Sequence, residues 1–232
     1  MGVTREMSST SLGKKRLAFS LALSLFVSIL LSTSPAKADD KDEKERVKCR
    51  PTKVLAQSNK RVSPPTTLLK RAPRLITIST NCGTISVRTY FRDAPLTITA
   101  LTTLINSDYY SRTQCHRLST KGIYWVQCGD PTATGLGDPG FSYKDENLPK
   151  VVENNYPRGT VAMSNFGRPD TNGGQFLLFY EDTTLRSPNY TIWGEIISGI
   201  EIIEYIAEGG VRGGNAEGAP IRNLVIERIT IR

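Results

Sequence analysis

From Arg74 onward the chain is built of short segments in which apolar and polar residues alternate, and no feature narrows its fold more. In LITIS (75–79) Ile76 and Ile78 share a face, and in TISVRTY (84–90) Ile85 and Val87 do. Strand side chains alternate between faces, so each segment has one side to bury and one to wet. Asn81 and Gly83, in the TNCG between them, favour a turn, and the two segments read as a hairpin. Further strand signals occur at 114–118, 123–128, 159–164, 175–180 and 190–197, and NLVIERITIR (223–232) is a last strand. DAPLTITALTTLINSDYY (93–110) breaks the pattern, because Leu96, Ala100, Leu101, Leu104 and Ile105 recur at helical spacing. Asp93 suits its N-cap and Pro95 its first turn. GIEIIEYIAEGG (199–210) reads as a second helix closed by Gly209. About eight short strands and two helices predict a mostly-β domain, a closed eight-stranded antiparallel β-barrel capped by two α-helices. Closure would also remove exposed edges.

The first 38 residues have another texture. Lys14, Lys15 and Arg16 precede an apolar run, Leu17 to Leu31, broken only by Ser20, Ser24 and Ser28, and Ala36-Lys37-Ala38 follows. That order is the order of a signal peptide with its cleavage site. The run is shorter than the roughly 20 residues a membrane span needs. Residues 1–38 are therefore expected to direct export, with an uncleaved membrane anchor as the alternative. Residues 39–73 are charged, then rich in Ser, Thr and Pro, and hold no aromatic side chain. They read as a disordered linker, which leaves 74–232 as the domain.

The net charge of +8 suggests a polyanionic partner until it is located. Residues 1–38 carry +4, 39–73 carry +5 and 74–232 carry −1. The domain is nearly neutral, which argues against nucleic acid. The basic linker offers a contact to anionic envelope polymers or headgroups, or else is a solvated spacer. The four cysteines, Cys49, Cys82, Cys115 and Cys128, allow three disulfide pairings. They form no C-x-x-C and there is one histidine, so no metal site is expected. GLGDPG (135–140) spells G-x-G-x-x-G, but Pro139 interrupts it and no helix follows. It reads as a mobile glycine-rich loop rather than a nucleotide site.

QCHRLS (114–119) places Cys115 beside the sole histidine, His116, which suggests a nucleophile and its base. Strand parity separates them. Neighbours point to opposite faces, so Cys115 shares a face with Arg117 and His116 takes the other. His116 then reads as structural and Arg117 as the residue free for chemistry. By the same rule Trp125 and Gln127 share a face in YWVQCGDP, as do Gln175 and Leu177 in GGQFLLFY. Parity also puts Cys115 with Arg117 and Cys128 opposite Gln127, which argues against a simple cross-strand disulfide unless CGD is bulged. One arginine, several amides and apolar neighbours, with no base or carboxylate pair, suit binding and polarising a peptide better than hydrolysing it.

CHRL, VQCGDPTATGLGDPGF, DEN, GTVAMSN, TNGGQFLLFY and YTIWGEI occur in the order of the cyclophilin-type peptidyl-prolyl cis-trans isomerases. The likeness covers about 74–232, and CHRL with VQCGDP is similar to the exported or envelope cyclophilins of actinobacteria. It implies that Arg117 is the essential arginine. Gln127, Asn165 and Gln175 would contact the substrate backbone. Tyr124, Trp125, Leu177 and Leu185 would form the proline pocket, and Tyr190 stands where many members have histidine. Parity alone places Tyr124 on the other face, so its pocket role needs a bend at the strand start. Leu177 replaces an aromatic ring, and Thr184 falls where strong ciclosporin binders carry tryptophan, so weak ciclosporin binding at most is implied. Proline-containing polypeptides are the implied partners, the chain acting as a monomer. No bond breaks in the reaction, so it requires no cofactor. A non-catalytic peptide-binding holdase on the same barrel is the alternative.

Overall fold

The computed structural model describes residues 47–53, 56–71 and 73–232. The expected signal peptide and the start of the expected linker lie outside these. Ten strands are found among the described residues: β1 (Leu75–Thr80), β2 (Gly83–Thr89), β3 (Thr113–Gln114), β4 (Arg117–Thr120), β5 (Tyr124–Cys128), β6 (Thr160–Met163), β7 (Phe176–Phe179), β8 (Ile192–Ser198), β9 (Glu217–Gly218) and β10 (Val225–Ile231). Helix α1 (Pro95–Asn106) follows β2, and α2 (Ile200–Glu208) follows β8. All pairs are antiparallel, in the order β3-β10-β1-β2-β8-β6-β7-β5-β4-β9.

The ends of that order, β3 and β9, have two residues each and, among the described residues, a neighbouring strand on one side only. The expected closed eight-stranded barrel is therefore corrected to a curled, open sheet of ten strands with two helices. The physical reason lies at 115–116. The segment expected as one strand splits there, β3 pairing with β10 and β4 with β5.

The hairpin forms as its alternation requires. Ile76 faces Val87 and Ile78 faces Ile85, all essentially buried. Its turn carries more than a turn. Asn81 is buried; its amide donates to the Arg50 and Asn223 carbonyls, and its Oδ1 accepts from Val225 N–H. The first turn of α1 is not held by Asp93. The cap residue is Ala94, and the Glu146 carboxylate, fifty residues on, accepts from Leu96 N–H (3.0 Å) and Thr97 N–H (2.8 Å). A carboxylate there satisfies free amides and faces the positive end of the helix.

Several of the described residues between 47 and 71, expected as a free linker, are tied to the domain. Cys49 is disulfide-bonded to Cys82 at the hairpin turn. Arg50 N–H donates to Asn81 O, and Val47, Cys49 and Val62 pack on the core. Composition marked this segment as unable to build a core of its own; it borrows the domain's instead.

Candidate active site

Strands β4, β5, β7 and β6 lie side by side, and their register builds the site. Arg117 faces Gln127, Gln127 faces Leu177, and Leu177 faces Ala162. The next row holds Trp125 against Phe179. Trp125, Ala162, Leu177 and Phe179 form one apolar cluster with Tyr156, apart from the main core. Above it opens a cavity of about 300 Å³, lined by Arg117, Trp125, Gln127, Asn165, Gln175, Leu177 and Tyr190, with Ser164, Phe166 and glycines at its rim. That volume is at the lower end of small-ligand sites.

A chain of amides crosses it. Gln175 Nε2 donates to the carbonyls of Gly135 (3.0 Å) and Gly137 (2.9 Å). Gln127 Nε2 donates to Gln175 Oε1 (2.7 Å) and Ser164 Oγ (3.2 Å), and Arg117 Nη1 to Gln127 Oε1 at a long 3.5 Å. The other side of the guanidinium pairs with Glu217 at 2.7 Å, both side chains remaining partly exposed. An exposed ion pair adds about 0–1 kcal/mol of stability at most. Its effect here is orientation, leaving a fixed fork of donors at the cavity mouth.

The glycine-rich loop that closes this side corrects the expectation of a mobile loop, because it is tied to Asp130. The Asp130 carboxylate accepts from Thr132 N–H and Oγ1–H and from the N–H groups of Thr134, Gly135 and Gly137. Burial pushes its pKa up, but the bonds from Thr132, Gly137 and Gly135 outweigh that and hold it below the usual value. A Cβ on Gly137 would stand 1.9 Å from Asp130 Oδ1, so only glycine fits. At the cavity's base Tyr110 donates its hydroxyl proton to Gly174 O (2.9 Å), fixing the turn before Gln175.

Aromatic rings line the floor despite Leu177. Trp125 meets Phe179 and Tyr190 edge-on, with centroids 5.6 and 5.7 Å apart. Tyr156 stacks on Phe179 and its hydroxyl bridges the Tyr190 backbone. Leu185 packs against this cluster, outside the cavity lining. The Asn165 side chain is engaged on two sides, donating to Asn189 O in the segment between β7 and β8 and accepting from Gly167 N–H in its own loop.

Tyr124 is corrected. It pairs with Thr120 in an unbent strand, points to the opposite face and lines a separate cleft with Tyr180 and α2. Parity, not the family correspondence, gives its place. Cys115 is corrected as well. Both Cys115 and Cys128 are fully buried and are joined as a disulfide. His116 N–H reaches the carbonyl of Gln127, already the register partner of Arg117, so two residues oppose one. This is a bulge, immediately before β4 rather than at CGD, and it turns Cys115 to the core face. His116 faces Gly135 from the other side, and neither ring nitrogen has a hydrogen-bond partner among the described residues. Burial lowers its pKa, Asp130 raises it and Arg117 lowers it, with a net depression that favours the neutral ring.

Glu217 and Glu146 escaped sequence reasoning, because both act across long separations without a local motif. Phe179 was within reach, since parity from Leu177 places it on the same face.

Residues 75–231 match the family model described as cyclophilin type peptidyl-prolyl cis-trans isomerase/CLD. The chain is 37% identical over 165 residues to a probable peptidyl-prolyl cis-trans isomerase B of Mycobacterium leprae, covering 66% of this chain and 55% of the relative. It thus spans about half the length of that curated relative. It is 34% identical over 159 residues to a peptidyl-prolyl cis-trans isomerase-like 3 of Dictyostelium discoideum, covering 67% of this chain and 94% of the relative. The crystal structure of a Cryptosporidium parvum cyclophilin in the presence of the dipeptide Ala-Pro superposes with a TM-score of 0.59 at 28% identity, over 68% of this chain and 98% of that one. The curled sheet, the arginine above its apolar floor and these likenesses agree: the chain belongs to the cyclophilin-type peptidyl-prolyl cis-trans isomerase family.

Proposed function

We propose that the domain accelerates cis–trans rotation of Xaa–Pro bonds in polypeptides and that Arg117 is its catalytic residue. The observation that carries this is one guanidinium, braced by Gln127 and Glu217, at the mouth of a cavity floored by Trp125 and Leu177. Amide resonance sets a barrier of about 18–20 kcal/mol to the rotation. In the twisted state the prolyl nitrogen recovers its lone pair and can accept a hydrogen bond. A donor aimed there stabilises that state more than either planar isomer, which is what lowers a barrier. An acceleration of about 10⁵ needs only ~7 kcal/mol. Trp125, Leu177 and Tyr190 would hold the ring. Gln127 and Gln175 would hold the flanking backbone. Asn165, its side chain already engaged, would offer main-chain groups, and Leu185 would support the floor from behind.

The reading extends to export and assistance of folding outside the cytosol. Residues 1–38 have the pattern of a leader, and all four cysteines are paired, which suits an oxidising compartment. Envelope-polymer binding through the basic segment is less favoured, because Arg50 is paired with Glu227 and Lys60 with the Asp108 carbonyl. Weak ciclosporin binding at most is retained, with Thr184 exposed at the position in question.

The test is a cis-to-trans peptide assay on the wild-type chain and Arg117→Ala. Removing one preorganised donor typically costs about 10²–10³ in rate, and that loss is expected. Equal rates for the two proteins would sink the mechanism. No isomerisation by the wild type, with client aggregation still suppressed by both, would establish the holdase instead.

A further inference from the structure

The geometry points to residues 47–73, outside the region matched by the family, as a positioning strap for the catalytic groove. This rests on the function proposed above. The strap touches the outer side of the loop whose inner side lines the cavity. Gln57 N–H donates to Pro131 O (2.9 Å) and Val62 N–H to Pro139 O (2.8 Å), so both ends of the glycine-rich loop are held. Between them Arg61 covers Gly140, where an added Cβ would lie 3.3 Å from its Nη1.

The strap is itself fixed. Cys49–Cys82 anchors its start at the hairpin turn. The Gln57 side-chain amide donates to Arg112 O (2.6 Å) and Ser111 O (3.2 Å), and Lys60 Nζ to Asp108 O (2.9 Å). Val62 packs on the core, and Leu69 N–H bonds Thr99 Oγ1 on α1.

From the loop inward the contacts are continuous. Gly135 and Gly137 hold Gln175, Gln175 holds Gln127, and Gln127 meets Arg117. Side chains placed this way act only within narrow tolerances, and a shift of about 1 Å can cost a hundredfold in rate. A loop clamped on its outer side by two main-chain bonds and on its inner side by Asp130 has little freedom to make such a shift. The strap therefore sets kcat without touching substrate.

The experiment uses the full chain. Gln57→Pro with Val62→Pro deletes both main-chain donors by construction. Cys49→Ala with Cys82→Ala loosens the strap from its anchor, alters no residue touching the loop, and serves if the proline pair does not fold. Two quantities are read: amide exchange at Gly135 and Gly137, and the split of kcat from KM. Exchange at those two amides is expected to rise about tenfold or more while Ile78 and Ile85 stay protected. The value of kcat is expected to fall roughly tenfold with KM little changed. Wild-type exchange and wild-type kcat in a folded variant would overturn the inference. An inactive wild-type chain would instead overturn the proposed function, and the exchange readout would still judge the strap.

Discussion

The two faces of the β4–β5–β7–β6 sheet are nearly equally buried and have different uses. Leu177 and Leu178 are adjacent, and each is 1% exposed. Leu178 lies in the main core with Val126, Leu118 and Val161, and Leu177 lies in the smaller cluster with Trp125, beneath the cavity. Degree of burial does not separate a structural leucine from a site leucine. What covers it does: a closed core on one side, and on the other an open cavity, bordered by Trp125 and Tyr190, that leaves room for a ring.

Adjacent substitutions test this division. Leu178→Ala is expected to cost about 2–5 kcal/mol of stability, the range for a buried leucine that leaves a cavity. Its activity per folded molecule should stay near wild type, as denaturant melts and assays at a temperature well below unfolding would show. A large change in KM from this residue would break the two-face distinction.

The core-face disulfide comes next. Cys115 and Cys128 are 13 residues apart, and a loop near that length is worth about 3 kcal/mol of unfolded-state entropy. Cys115→Ala with Cys128→Ala should lose about that much in a chemical melt. It should also lower kcat several-fold, because the bond holds Cys115 inward at the bulge immediately before Arg117. Full activity would show that the bulge is set by the backbone alone.

Leu177→Ala should act in the opposite sense to Leu178→Ala. Part of its surroundings is already open, so its stability cost is expected at the low end, about 2 kcal/mol. The proline ring loses its floor, and KM should rise several-fold. An unchanged KM would remove Leu177 from the pocket.

Much of this division is legible from strand parity. Alternation alone assigns Trp125 with Gln127 and Gln175 with Leu177, and it places Tyr124 away from them. The family correspondence misplaced Tyr124 because it aligned positions without asking which way the strand faced them. Parity failed where a residue was inserted. The bulge at His116 shifts the alternation by one, so Cys115 goes inward, and no local signal in CHRL announces it. The contacts from Glu146 to α1, from Glu217 to Arg117 and from the strap to the loop span tens of residues and depend on the finished sheet. Composition likewise could not show that a segment without its own core would lie on another's.

The smallest expected effect concerns His116, at the boundary between the faces. Its folded-state pKa is depressed, chiefly by burial, so the folded protein disfavours the charged ring. A base of this kind binds protons more readily when unfolded, so stability rises with pH between the two values. Stability should be full above the ordinary value near 6.5 and decline as pH falls from there toward the lower folded-state value. Asp130 facing it does not change protonation in that interval, since the hydrogen bonds from its loop hold its pKa below the ordinary carboxylate value. A second acid loss, from Asp130, should begin only as pH falls below about 3.8, because its depressed pKa contributes stability that protonation removes. Melting curves from pH 7.5 down to 3 should therefore show a shallow fall between pH 7.5 and 5 in wild type that His116→Gln abolishes, leaving the loss below pH 4 intact. A fall of the same size in His116→Gln would assign the upper step to another group and leave the ring merely a spacer between the core and the loop.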